Sequence, residues 1–101
     1  MTPTIDHQPE SSRFSAAVDG REGTLAYRSE PGILELTHTY VPDEIAGRGI
    51  AGALVEAALE HARREGLKVV PSCSYAAAYI ERHPQHADFG RLTRPRPLQR
   101  D

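Results

Sequence analysis

A single α/β (α+β) domain, with a mixed, mostly antiparallel sheet and two helices, is what the 101 residues predict. Three observations carry that expectation. Short runs of strand-type residues are separated by turn chemistry across the first 41 positions. A helix-period apolar stripe from Ala51 to Ala62 then interrupts them. A further short apolar run, Leu67 to Val70, follows that stripe, so the helix links two strands and places them parallel.

Residues 1–12 are polar and read as a flexible leader. Phe14, Ala16 and Val18 alternate on one side of the first strand, Arg13 to Val18. Asp19-Gly20-Arg21-Glu22-Gly23 is turn chemistry, and Thr24 to Arg28 makes the second strand of a hairpin. Pro31-Gly32 turns the chain again. The third strand, Ile33 to Val41, is the longest; strict alternation puts Leu34, Leu36, His38 and Tyr40 on one face and Glu35, Thr37 and Thr39 on the other. Pro42 ends it.

The helix spans residues 49 to 65. Ala51, Leu54, Val55, Ala58, Leu59 and Ala62 form its buried stripe, and Gly66 stands where a C-terminal glycine cap belongs. Leu67 to Val70 is a fourth strand ending at Pro71. The second helix runs from Tyr75 to His83; Ser72 or Ser74 caps it and Pro84 stops it. The sheet therefore has four strands, and residues 13–89 form one domain.

Composition excludes several classes. Residues 1–89 hold eight basic and thirteen acidic residues, a net −5, which is the wrong sign for nucleic-acid binding. Residues 90–101 hold four Arg and one Asp, a net +3. This Arg- and Pro-rich tail reads as a solvated, flexible terminus, with a protein-contact arm as the alternative. A single cysteine excludes an intrachain disulfide framework and a cysteine-rich zinc site. His83-Pro84-Gln85-His86 with Asp88 lacks a third strong ligand, so no metal is expected. No run approaches the roughly 18 apolar residues of a membrane span, and the start is too polar for a secretory signal; a cytoplasmic protein is expected.

The sharpest signal is Gly47-Arg48-Gly49-Ile50-Ala51-Gly52, a glycine loop that follows a strand and opens a helix. Glycines let backbone N–H groups approach an anion, and the helix N-terminus adds about half a positive charge. Arg48 would add a direct phosphate contact. The plainer reading is a tight loop that needs positive φ and holds nothing. The run satisfies G-x-G-x-x-G, but the next strand, Lys68-Val69-Val70-Pro71, carries no acid to hold a ribose, and the chain is too short for a doubly wound sheet. The G-x-x-x-x-G-K-[ST] loop of nucleoside triphosphatases is absent.

Cys73 lies between a strand and a helix start, a place that favours thiolate. A nucleophile is one reading; a small buried hydrophobe is the other. His38, three residues before the strand's end, is either a hydrogen-bonded core residue or a base. Tyr75 and Tyr79 share a helix face and serve either packing or ligand contact.

Val41-Pro42, the short acidic loop and Gly47 to Leu54 resemble the acetyl-CoA signature of the GNAT superfamily of N-acetyltransferases. With His38-Thr39-Tyr40-Val41-Pro42, Val69 to Tyr75 and Tyr79 to Pro84, the resemblance extends to the small, single-domain YjdJ-like branch and covers roughly residues 14 to 89. Gly49 and Ala51 match the signature; Ala46 stands at its first position, and Arg48 carries the basic group. The resemblance implies a minimal acyl-CoA N-acyltransferase fold whose third and fourth strands splay to admit the cofactor. It implies that the backbone of Gly47, Arg48, Gly49, Ile50, Ala51 and Gly52 holds the CoA pyrophosphate. Thr39, Tyr40 and Val41 would line the pantetheine arm, with Cys73, Tyr75 and Tyr79 beside it. An amine is the expected acceptor, with His38 as the base for its direct attack and an acetyl-enzyme at Cys73 as the competing path. A CoA-binding module without catalysis is the alternative.

Overall fold

The computed structural model describes residues 4–83. Five strands and two helices follow in the order β1 (Ile5–Gln8), β2 (Arg13–Val18), β3 (Arg21–Glu30), β4 (Ile33–Tyr40), α1 (Ile50–Glu65), β5 (Lys68–Pro71) and α2 (Ser74–Arg82). The strands form one sheet in the order β1-β2-β3-β4-β5. The first three pairings are antiparallel. The fourth is parallel, because α1 carries the chain back across the sheet. The mixed, mostly antiparallel sheet with two helices is as expected from the sequence, with one strand more.

That extra strand, β1, lies within the residues that composition reads as leader. Four residues are too few for a periodic signal, and what holds β1 is tertiary. Ile5 packs against the core. The His7 ring stacks on Phe14 with centroids 4.3 Å apart and planes 8° from parallel. It also meets His61 of α1 edge-on at 4.6 Å and lies 2.6 Å from the Tyr27 hydroxyl. Strand β3 is twice its expected length, because the turn between β2 and β3 is only Asp19-Gly20. Both have positive φ, 51° and 76°, as a two-residue hairpin turn of the I′ kind requires. Arg21 to Gly23 therefore belong to the strand.

Both helices cover the same face of the sheet. Helix α1 buries Ile50, Leu54, Val55, Ala58, Leu59 and Ala62, and α2 buries Ala76, Tyr79 and Ile80. They meet Phe14, Ala16, Leu25, Tyr27, Leu34, Leu36 and Val69 in one core. Gly66 ends α1 at φ 68° with its N–H on the Ala62 and Arg63 carbonyls, as the sequence predicts. Among the described residues, no helix lies on the opposite face. None is long and apolar enough to cross a membrane. The tail at 90–101 lies outside the described residues, as do Gln85, His86 and Asp88 of the rejected metal cluster.

The His7 anchor makes the attachment of β1 depend on pH. Burial first, then the charges of His61 and Arg64, lower the His7 pKa below its ordinary 6.5; Glu10 acts in the opposite direction. The fold thus favours neutral imidazole, while the unfolded chain takes up a proton near pH 6.5. Stability from this residue is present above that pH and is lost as pH falls through it. The thermal midpoint should be flat from pH 8 to 7 and fall below about 6.5. In His7→Phe, which keeps the stacking, the fall should be shallower, as measured by thermal melts at each pH; parallel curves would refute the assignment.

Candidate functional site

Strand β4 carries an irregularity that shapes the site. Tyr27 of β3 pairs with Leu36, but Ala26 pairs with His38, so Thr37 is an extra residue on β4. Its hydroxyl donates to the Ala26 carbonyl at 3.1 Å. The bulge inverts the alternation beyond it. Leu34 and Leu36 face the core, as expected, but His38 and Tyr40 turn to the opposite face and Thr39 to the helix side. The single face expected for Leu34, Leu36, His38 and Tyr40 is thereby corrected. His38 is exposed, and Tyr40, at 54%, is the most exposed large apolar side chain described.

The same region is where β4 and β5 part. Their pairing runs from Ile33–Lys68 to Leu36–Pro71 and stops, while β4 continues to Tyr40. The Cys73 N–H caps the junction by donating to the Leu36 carbonyl at 2.8 Å. Beyond it, Thr37 to Tyr40 present a strand edge outside any ladder with β5. Val41, expected as the strand's last residue, lies just past it, half-buried against the core.

Near the end of β4 lies the glycine loop. Gly47 and Gly49 adopt φ of 83° and 76° with nothing within 4 Å of where a Cβ would stand, so their freedom of backbone angle, not of space, is what the loop uses. Gly49 is the N-cap of α1. It offers no capping side chain, and the first turn holds no acidic residue, so the amides of Ile50, Ala51 and Gly52 head an uncapped helix. An anion fits this donor set. Gly52 has a second duty: a Cβ there would lie 3.1 Å from Tyr79 Cε2 and 3.6 Å from the Tyr75 hydroxyl. It is the point of close approach between α1 and α2. Arg48, expected to reach a phosphate, instead pairs with Asp19 at 2.5 Å.

Cys73 is the N-cap residue of α2, a position the sequence assigned to Ser72 or Ser74. Its thiol lies 3.4 Å from the Thr39 hydroxyl. Burial opposes ionisation, but the Thr39 hydroxyl and the backbone N–H groups of Ala76, Tyr75 and Thr39 outweigh it, and the thiol pKa is lowered. The bulge thus brings Thr39 to Cys73, whereas His38 faces the other side of β4. Tyr79 is 8% exposed, donates to Glu56 at 2.5 Å and stacks on His83 at 3.8 Å, so it packs the helix interface. Tyr75 is half-buried beside Gly52. His83, a member of the rejected metal cluster, directs Nδ1 to the Tyr79 carbonyl at 2.7 Å.

Sequence reasoning missed Thr39 as the partner of Cys73, Asp19 as the partner of Arg48, and the bond from the Ser72 hydroxyl to Glu35 at 2.5 Å. Each joins residues 29 to 37 positions apart. The Thr39 contact follows from the bulge at Thr37, which no turn residue announces. Thr39→Val removes one donor to sulfur and keeps the amides. The pH midpoint of Cys73 alkylation by iodoacetamide should move upward in that variant; an unmoved midpoint would show that the hydroxyl does not act on the thiol.

The comparisons with known proteins agree with this geometry. The model of the GCN5-related N-acetyl-transferase family matches residues 13–89. The mouse protein NATD1 is 34% identical over 83 residues, covering 79% of this chain and 76% of its own length. The human protein NATD1 is 32% identical over the same length. The NMR solution structure of a GCN5-like protein from Staphylococcus aureus superposes with a TM-score of 0.68 at 28% identity, covering 87% of each chain. With its parted β4 and β5, its bulge and its glycine loop at an uncapped helix, this chain belongs to the GCN5-related N-acetyltransferase family.

Proposed function

We propose that this chain is a cytoplasmic, single-domain N-acetyltransferase of the YjdJ-like kind, moving an acetyl group from acetyl-CoA to an amine. One observation carries the reading: a strand edge freed at a bulge ends beside an uncapped helix preceded by a left-handed Gly47–Gly49 loop. That pairing of features suits a ligand with a peptide-like arm and a diphosphate. The amides of Arg48, Gly49, Ile50, Ala51 and Gly52, with Gly47 shaping the turn, would hold the diphosphate. The backbone of Thr39, Tyr40 and Val41 would align the arm, with Tyr75 and Cys73 flanking it and Tyr79 supporting Tyr75 from the helix interface.

In this reading a neutral amine arrives from the uncovered face and attacks the thioester carbonyl. A carbon–nitrogen bond forms, the carbonyl pair moves to oxygen, and backbone N–H groups of β4 beside the bulge stabilise that oxyanion. The carbon–sulfur bond then breaks and CoA leaves as thiolate. His38, exposed on the acceptor side, takes the amine proton directly or through a water. Cys73 lies on the helix side of β4, beside the arm. Direct transfer is therefore favoured over an acetyl-Cys73 intermediate.

The exposure of His38 and its separation from Cys73 also favour a second reading, a CoA-binding module without catalysis. Calorimetry with CoA tests the shared premise, and an NMR titration should move the amide peaks of Arg48 to Gly52; no heat and unmoved peaks on folded protein would refute both readings. Thioester consumption over a panel of amines then separates them. His38→Gln should lower kcat by about 10²-fold or more while CoA affinity stays unchanged. Cys73→Ala should retain turnover within a few-fold; abolished turnover with CoA binding intact would replace direct transfer by the covalent route.

A further inference from the structure

The tip of the β2–β3 hairpin leans on the glycine loop at three points. Arg48, between Gly47 and Gly49, pairs with Asp19 at 2.5 Å through a single guanidinium nitrogen. Arg21 reaches Glu44, just before the loop, at 3.7 Å. Between them Gly23 lets Ile50 approach, since a Cβ there would lie 3.2 Å from Ile50 Cγ2. Both arginines beside the anion-binding amides therefore already have a carboxylate.

Asp19 is well fixed for this role. It occupies the first position of the hairpin turn at φ 51°, so the fold, and not a flexible stem, sets where its carboxylate stands. Arg48 has an ordinary backbone angle, since only the glycines on either side of it have positive φ. Its amide needs no help from the ion pair to face the loop. The carboxylate and a diphosphate are both anions seeking the same guanidinium, so the pair opposes anion binding and does not assist it.

We propose that Asp19 is a positioning residue that holds Arg48 in reserve, so that a diphosphate entering the loop must take the guanidinium from Asp19. This rests on the acetyl-CoA reading above and deepens it. The latch subtracts the same free energy from every anion that recruits Arg48. It therefore weakens a simple phosphate and an arm-bearing ligand by the same factor, and the ligand that also lays an arm along β4 keeps the greater affinity.

Asp19→Asn is the decisive variant, because Asn tolerates positive φ and preserves the turn while removing the charge. Exposed pairs of this kind correspond to a factor of about two to five in binding. Titrations of CoA and, separately, of inorganic pyrophosphate are made at 0.15 M salt, where charges beyond about 8 Å are screened. Both ligands should bind Asp19→Asn tighter by that factor, and the gain should vanish in an Arg48→Ala background. Unchanged or weaker binding in Asp19→Asn overturns the latch, as does an equal gain with Arg48 absent. If pyrophosphate shows the gain while CoA binds no variant, the latch stands and the acetyl-CoA reading falls. If neither ligand binds any variant, both fall.

Discussion

One extra residue in β4 organises this molecule. Were Thr37 paired in the ladder instead of bulged, the alternation of the strand would run unbroken, and His38 and Tyr40 would enter the core behind Leu34 and Leu36. With it, the strand twists and changes its allegiance halfway along. Its first half pairs on both sides and buries leucines. Its second half pairs only with β3, offers Thr39 to the helix side and shows His38 and Tyr40 to solvent. A bulge is tolerated here because the Thr37 hydroxyl satisfies the Ala26 carbonyl and because β5 has already turned away toward α2.

The glycine loop illustrates how one short motif divides its labour. Gly47 and Gly49 supply left-handed backbone that costs an ordinary residue roughly 1–2 kcal/mol. Gly52 supplies closeness, admitting Tyr79 against α1 so that both helices lie on one face of a five-stranded sheet. The first duty shapes the loop that opens α1, and the second seats α2, whose N-cap is Cys73. Loop geometry and core packing therefore meet within six residues of chain.

Around Cys73 the opposing effects are burial and hydrogen bonding, and hydrogen bonding wins. The opposite face of the sheet has a different character. With helices on one side only among the described residues, β4 is open on the other, and there His38 and Tyr40 are exposed.

Much of this was legible in the residues themselves. The period of Leu54, Val55, Ala58, Leu59 and Ala62 determined α1, Gly66 its end, and the turn chemistry between Asp19 and Gly23 the existence of the hairpin, because these are local effects of backbone geometry and side-chain spacing. The family resemblance was carried by residues in and around the glycine loop, where chemistry is written in consecutive letters. The tertiary structure alone decided the rest. It held β1 by the stacking of His7 on Phe14, chose Cys73 over its serine neighbours as the α2 cap, moved His38 and Cys73 to opposite sides of β4, and gave Arg48 to Asp19. These outcomes depend on which strand edges meet and in what register. A single inserted residue changes that register by one, and no pattern of period two or 3.6 records it.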